Sequence, residues 1–222
     1  MSETVASADS YEAYYVQAPT DPLLKPADVV FTQADGGGLI SKIILWGTRT
    51  WNEPRSRASH VALVAIPEAD VTLTNLIEQT WPRQRREHLD HYLQASSVVI
   101  YRLRLINDEE RYRIVKLAEA DLGKPYGIGN ILWFGLDALL GKILSWPVVM
   151  IGRLFGRRWR GYEPRLFSRL NLLSPIVCSQ TVAKYYSDIG FGFGNAWQTR
   201  DPDSMLDFCE SHPEIFEKVF ES

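Results

Sequence analysis

The segment that most constrains the fold is SHVALVAI, residues 59–66, which is apolar on both of its alternating faces. A strand with two apolar faces has to lie inside a sheet or barrel that covers it on both sides. A turn at 67–70 separates it from residues 71–80, so the two segments predict an antiparallel hairpin. Residues 28–33 and 97–105 are rich in β-branched and aromatic side chains and predict two further strands.

Helical spacing alternates with these strands along the chain. The segment 108–122 has apolar residues at helical intervals behind a cap at Asn107 or Asp108. The segment 175–188 begins with proline in its first turn and is followed by Gly190. Further helices are predicted at 39–50, 201–208 and 213–220. Short antiparallel strands mixed with helices indicate an α+β fold.

Length and composition fit one elaborated globular domain. The chain has 222 residues, of which 45% are hydrophobic and 23% charged, so bulk disorder is excluded. A net charge of −3 argues against a general nucleic-acid binder. We expect an N-terminal arm at 1–24 and a single domain at 25–222 that carries a helical insert at 130–170. The sequence does not indicate an oligomeric state.

The N-terminal residues bear on localisation. They carry several acidic side chains and no apolar core segment, so the Sec signal pattern is absent. We therefore expect synthesis in the cytoplasm, followed by retention there, export by a signal-independent route or peripheral association with a membrane.

Cys178 is the most informative residue for chemistry. It lies in the first turn of a predicted helix, where unpaired N–H groups and the helix dipole stabilise a thiolate and create a nucleophile. The alternative is a buried structural cysteine, which is a common role for a free thiol. Cys209, late in a helix among apolar neighbours, is expected to be inert. Two cysteines outside any CxxC pair cannot form a disulfide framework.

A thiolate needs a base, and His60 begins the apolar strand, from which it can reach a cleft. Glu78, flanked by apolar residues on the next strand, is the expected group to orient His60, and Gln79 is the substitute on the opposite face. His88 and His91 have a spacing that permits metal binding, but no third ligand is evident, so we predict no metal and no cofactor.

These residues stand in motifs that resemble a known family. They are DVVF from Asp28, ASHVALV with His60, LIEQT with Glu78, GKPYGIGN with Tyr126 and VCSQTVAKYYSDIG with Cys178. In this order they resemble the circularly permuted branch of the NlpC-type papain-like cysteine hydrolases, which includes YiiX-like hydrolases and lecithin:retinol acyltransferases. The resemblance covers about residues 25–203.

The resemblance implies a small antiparallel sheet or barrel packed on the helix that bears the nucleophile. It implies Cys178 as nucleophile, His60 as general base and acid, and Glu78 as the group that orients His60. It places Tyr126 near the substrate or the oxyanion, and we group Ser59 and Gln79 with it. Two departures loosen any inference about substrate: Gly127 follows the tyrosine where an acidic residue is frequent, and Val177 precedes the cysteine where many unpermuted members have Asp.

The apolar segment 131–155 is the main feature outside these motifs. Its longest uncharged run, 143–152, is far shorter than the roughly 18 residues of a spanning helix, so a transmembrane anchor is not expected. It is either a buried helical hairpin or a lid that meets a bilayer or an acyl chain. Six arginines against one glutamate at 153–169 favour an anionic membrane surface. The residues assigned to this membrane or lid role are Trp133, Phe134, Trp146, Arg153, Arg157 and Arg158. Arg83, Arg85 and Arg86 are expected in a solvated loop.

Three functions follow from these observations. The first is a cysteine hydrolase or acyltransferase that cleaves an amide or ester acyl bond in a lipid-like substrate at a membrane surface. The second is a peptidase or amidase that cleaves peptidoglycan stem peptides with the same catalytic residues. The third, from another class, is a non-catalytic membrane-peripheral binding module. The expected partners are a lipid or peptide substrate and an anionic membrane surface, with no nucleic acid.

Overall fold

The computed structural model describes residues 22–34, 57–94, 96–127, 177–194 and 196–222, with residues 139, 140, 143, 147 and 151 between them. The predicted helix at 39–50 and nearly all of the N-terminal arm lie outside the described residues. So do all six residues assigned above to a membrane or lid role, namely Trp133, Phe134, Trp146, Arg153, Arg157 and Arg158.

Within these described residues, six antiparallel strands form one sheet in the order β4-β3-β2-β1-β5-β6. The strands are β1 (Val29–Ala34), β2 (His60–Ile66), β3 (Asn75–Gln79), β4 (Gln84–His88), β5 (Ser96–Leu103) and β6 (Phe216–Glu221). The helices in the described part of the chain are α1 (Asp90–Leu93), α2 (Asp108–Ala120), α3 (Cys178–Asp188) and α4 (Pro202–Ser211). This arrangement confirms the α+β fold class.

Both faces of β2 are buried, as its sequence predicts. Val61 and Leu63 face the larger core, in which α2, α3 and α4 pack on the sheet. Ala62 and Val64 face a smaller core on the opposite side, closed by Leu24, Leu89 and other apolar side chains. His60 stands at the first position of this strand, at the end of the sheet that α3 approaches.

Four predicted boundaries or elements need correction. Residues 213–220 were expected to be helical, but Phe216–Glu221 is the edge strand β6, because β5 offers an open edge with which it pairs. β4 occupies the arginine segment that was expected to be a solvated loop. In 71–80, only Asn75–Gln79 is a strand, and Val71–Leu73 forms a 3₁₀ turn. The helix predicted from 175 begins at Cys178, since Val177 is extended at φ −97° and ψ 171°.

Other local predictions are confirmed. α2 ends at Ala120 and begins with a capping box in which Glu110 N–H donates to Asn107 Oδ1 at 2.9 Å and Asn107 N–H donates to Glu110 Oε2 at 2.8 Å. The helix predicted at 201–208 forms as Pro202–Ser211, behind the cap residue Asp201. In the part of the chain that the structure describes, no helix combines the length and the apolarity needed to span a bilayer.

Gly194 occupies a position that only glycine fits. Its φ is +83°, and a Cβ there would lie 2.8 Å from Cε2 of Phe208 in α4. We expect Gly194→Ala to lower the free energy of unfolding by about 1–3 kcal/mol, through backbone strain and overpacking. Urea unfolding followed by circular dichroism measures this loss. Gly192→Ala is the matched control, because a Cβ there meets no atom within 4 Å. Equal stability of the two variants would contradict the prediction.

Candidate active site

Cys178 is the first residue of α3 and is 1% exposed. Its sulfur accepts hydrogen bonds from the backbone N–H groups of Val61 and Ser179. Two side-chain contacts secure this end of the helix: the Ser179 hydroxyl donates to the Arg200 carbonyl at 2.8 Å, and Gln180 Nε2 donates to the Gln198 carbonyl at 2.6 Å. The thiol therefore occupies a fixed position at a helix N-terminus, where N–H groups favour its anion.

His60 reaches this thiol from β2. It is opposite Thr32 in the register of β1, and its neighbour Ser59 is buried and donates its backbone N–H to the Thr32 carbonyl at 2.9 Å. His60 Nε2 lies 2.7 Å from Glu78 Oε2, which leaves Nδ1 for the hydrogen bond with the Cys178 sulfur. The imidazole thus joins the sulfur to the carboxylate in one hydrogen-bonded chain.

The carboxylate of Glu78 is buried in β3, opposite Ala62 of β2. It accepts hydrogen bonds from three side chains: His60 Nε2, Arg85 Nε at 2.9 Å and the hydroxyl of Tyr92. Burial alone would raise the pKa of Glu78, but these donors, His60 first, lower it to about 2. Glu78 is therefore ionised throughout the neutral pH range.

The sulfur and the imidazole form an ion pair. Burial alone lowers the pKa of His60, but the Cys178 thiolate and the Glu78 carboxylate raise it to about 10. Burial alone raises the pKa of Cys178, but the His60 imidazolium and the N–H groups of Val61 and Ser179 bring it below its ordinary value of 9.0. A thiolate beside an imidazolium is the reactive form of a cysteine nucleophile, with its base in contact.

Tyr126 also contacts the Cys178 sulfur. It is buried, and its hydroxyl hydrogen-bonds Cys178. Burial and the nearby thiolate raise the pKa of Tyr126 well above 10, so the phenol keeps its proton and donates it. The backbone N–H of Tyr126 donates to the Pro82 carbonyl at 2.9 Å, and Gln79 Nε2 donates to the Pro125 carbonyl at 2.9 Å. Gln79 thus supports the Tyr126 segment, while Glu78 binds the histidine.

Cys209 provides the contrast within the same chain. It is fully buried in α4, in the larger core, and burial raises its pKa well above 9.0. The expectation that Cys209 is inert agrees with this environment. The two cysteines differ because only Cys178 has an imidazole and helix N–H groups around its sulfur.

Two residues at the site had not been recognised from the sequence. Arg85 was assigned to a solvated loop, but it lies on β4 directly opposite Glu78. Tyr92 lies on the one-turn helix α1, and its ring stacks on His60 with centroids 5.9 Å apart and 24° between the planes. The available signal was the alternation in QRREH, which places every second side chain on the face that Glu78 occupies.

The remaining histidines lie outside this arrangement. His88 Nδ1 is 3.2 Å from the Leu73 carbonyl and the residue is exposed. His91 contacts the Tyr92 ring edge-on at 5.2 Å. His212 is the C-cap residue of α4. No group of three or more His, Cys, Asp or Glu side chains arranged to hold a metal occurs among the described residues.

Comparison with known protein families agrees with the chemistry of the site. The model of the family described as permuted papain-like amidase enzyme, YaeF/YiiX, C92 family, matches residues 23–132, which include His60, Glu78 and Tyr126. A search of curated proteins finds no match. Among solved structures, the metalloprotein yiiX from Escherichia coli O157:H7 is 16% identical, with 77% of this chain and 69% of that chain covered and a TM-score of 0.44. Over residues 23–132 the chain is therefore similar to the permuted papain-like amidases, which supports a papain-like cysteine hydrolase.

Proposed function

We propose that the protein cleaves an amide or ester acyl bond with Cys178 as nucleophile, His60 as general base and acid, and Glu78 as the group that orients His60. The observation that carries this proposal is the continuous hydrogen-bonded chain from the Cys178 sulfur through His60 to Glu78, placed at a helix N-terminus. Cys209 has none of these partners and serves as the internal contrast.

The mechanism follows from the positions of these groups. The thiolate attacks the substrate carbonyl carbon, and the oxyanion forms near the Cys178 backbone N–H and the Tyr126 hydroxyl. Collapse of the tetrahedral intermediate leaves an acyl group on the sulfur, while His60 gives its proton to the leaving amine or alcohol. His60 then removes a proton from water, which attacks the thioester and restores the thiolate. Transfer to an alcohol or amine acceptor follows the same path, with the acceptor in place of water.

We further propose that the substrate is lipid-like and is met at a membrane surface. Four helical apolar residues of the segment after Tyr126 are exposed: Leu139 (43%), Leu140 (40%), Ile143 (59%) and Ile151 (55%). Exposed apolar side chains followed in sequence by six arginines at 153–169 suit a surface of anionic lipid.

A substrate comparison tests both parts of this proposal, the catalytic residues and the lipid-like substrate. Wild type is incubated with vesicles of acyl-labelled phosphatidylglycerol and phosphatidylethanolamine and, separately, with muropeptides. We expect release of labelled acyl chains by wild type and by Cys209→Ala, and a loss of at least about 10⁴-fold in Cys178→Ala.

The possible outcomes distinguish an error in the substrate from an error in the catalytic residues. Cleavage of muropeptides alone would retain the catalytic residues and overturn the lipid substrate. Activity that survives unchanged in Cys178→Ala would overturn the catalytic assignment. If wild type binds vesicles but alters neither substrate, a non-catalytic membrane-binding role replaces the proposed function.

A further inference from the structure

Glu78 can orient His60 only if the carboxylate itself is held. A carboxylate on a free side chain rotates about its terminal torsion, and an imidazole bound to it rotates with it. Glu78 has none of this freedom, because its side chain has no exposed area and both of its oxygens accept hydrogen bonds. Two of the donors, Arg85 and Tyr92, come from elements that contribute nothing else to the proposed catalytic set.

Tyr92 acts on both partners of the pair. Its hydroxyl donates to Glu78 Oε2, the same oxygen that accepts His60 Nε2. Its ring lies parallel to the imidazole, with 5.9 Å between the centroids. Burial and the Glu78 carboxylate raise the pKa of Tyr92 far above 10, so the hydroxyl remains a donor across the working pH range. One side chain thus limits rotation of both the imidazole and the carboxylate.

Arg85 supplies the charge. Its Nε donates to Glu78 Oε1 at 2.9 Å, and its outer nitrogen pairs with Glu87 at 3.0 Å. Arg85 thus places a positive charge beside the Glu78 carboxylate and, through it, near the pair of His60 and Cys178. Loss of Arg85 makes the site more negative by one charge, which opposes formation of the thiolate.

We propose that Tyr92 and Arg85 are positioning residues that fix the Glu78 carboxylate, and through it hold the His60 imidazolium against the Cys178 thiolate. The proposal rests on the function assigned above to Cys178, His60 and Glu78. It extends the site to β4 and α1, two elements outside the proposed triad.

The test measures the thiolate directly and needs no substrate. The rate of Cys178 alkylation by iodoacetamide is followed from pH 4 to 10 by mass spectrometry of the intact protein. The groups facing the reactive pair are His60, Tyr126 and the N–H groups of Val61 and Ser179 at the sulfur. Arg85 and Tyr92 face Glu78. Glu87 pairs with Arg85, and His91 contacts the ring of Tyr92.

Tyr92→Phe keeps the ring and removes the hydroxyl, and Arg85→Gln removes the charge. We expect each variant to move the acid limb of the alkylation profile upward by about one pH unit, the equivalent of one charged hydrogen bond. Arg85→Lys keeps the charge and is expected to recover most of this shift. Arg86→Gln is the matched control, since Arg86 is the adjacent strand residue and pairs with Glu119 at 2.5 Å.

A purely structural role would lower the melting temperature and leave the alkylation profile of the folded variants unchanged. Profiles of Tyr92→Phe and Arg85→Gln that superimpose on that of wild type therefore overturn the proposal. A wild-type Cys178 that titrates at or above 9.0 would instead contradict the ion pair itself, and with it the proposed function. The two failures are thus distinguishable.

Discussion

Replacing His60 by alanine is expected to lower kcat/KM by about 10³- to 10⁶-fold. The loss has two sources, because in the proposed mechanism His60 both stabilises the thiolate and transfers the proton to the leaving group. Without the imidazolium, burial dominates at Cys178, and we expect the thiol pKa to rise to 9.0 or above. Steady-state kinetics on the substrate identified in the vesicle and muropeptide comparison measures the first effect, and the alkylation profile measures the second.

The pH dependence of wild type follows from the same pair. The thiolate–imidazolium form exists above the lowered pKa of Cys178 and disappears as the pH rises through about 10, where His60 loses its proton. We therefore expect a bell-shaped kcat/KM profile with its alkaline limb near pH 10. His88→Ala is the control, because His88 is exposed and its Nδ1 lies 3.2 Å from the Leu73 carbonyl, away from the candidate site. If the His60→Ala variant has the kcat/KM of wild type, the assignment of His60 as the base is wrong.

The second large effect concerns stability and lies at the start of β1. Asp28 is fully buried and binds Arg102 at 3.0 and 2.8 Å, Arg111 at 3.4 Å and the backbone N–H of Lys25 at 2.8 Å. We expect Asp28→Ala to lower the free energy of unfolding by about 3–5 kcal/mol, because the guanidinium of Arg111, itself buried, loses its counter-ion. Denaturant unfolding measures the loss.

The pKa of Asp28 shows why this ion cluster is costly to break without being strongly stabilising. Burial raises the pKa above 3.8 although Arg102 and Arg111 lower it. Because the pKa of Asp28 is higher in the folded state than in the unfolded state, the free energy of unfolding falls as the pH rises from the unfolded pKa through the folded one. The double variant Asp28→Leu with Arg111→Met is therefore expected to regain part of the loss. Arg104→Ala, whose pairing with Glu217 is exposed and spans 3.6 Å, should cost less than about 1 kcal/mol.

The core of the site could be predicted from the sequence because each residue has a local signal. Cys178 opens a helix, His60 opens a strand with two apolar faces, and Glu78 is an acidic residue among apolar neighbours. Tyr92 and Arg85 have no comparable signal. Alternation in QRREH indicates which side chains share a face, but the register that sets Arg85 opposite Glu78 and the four-residue helix that carries Tyr92 depend on tertiary pairing.

The C-terminal strand shows the same limit on prediction. Residues 213–220 contain apolar side chains at spacings compatible with either a helix or a strand. The choice is made by β5, whose edge accepts β6 from Phe216 to Glu221. The spacing of residues within a short segment carries no information about a partner strand more than a hundred residues away. The prediction at 213–220 was therefore wrong, whereas the prediction of β2 was right.

The position of α3 in the chain has a consequence for the order in which the site is assembled. His60 and Glu78 are 18 residues apart on adjacent strands, so their pairing closes only a short loop. Cys178 comes more than a hundred residues after His60, and it meets the imidazole only when α3 packs on β2. Until that long-range contact forms, the cysteine is an ordinary weakly acidic thiol. The chain therefore has a reactive sulfur only in the folded state, once α3 has packed on β2 beside His60.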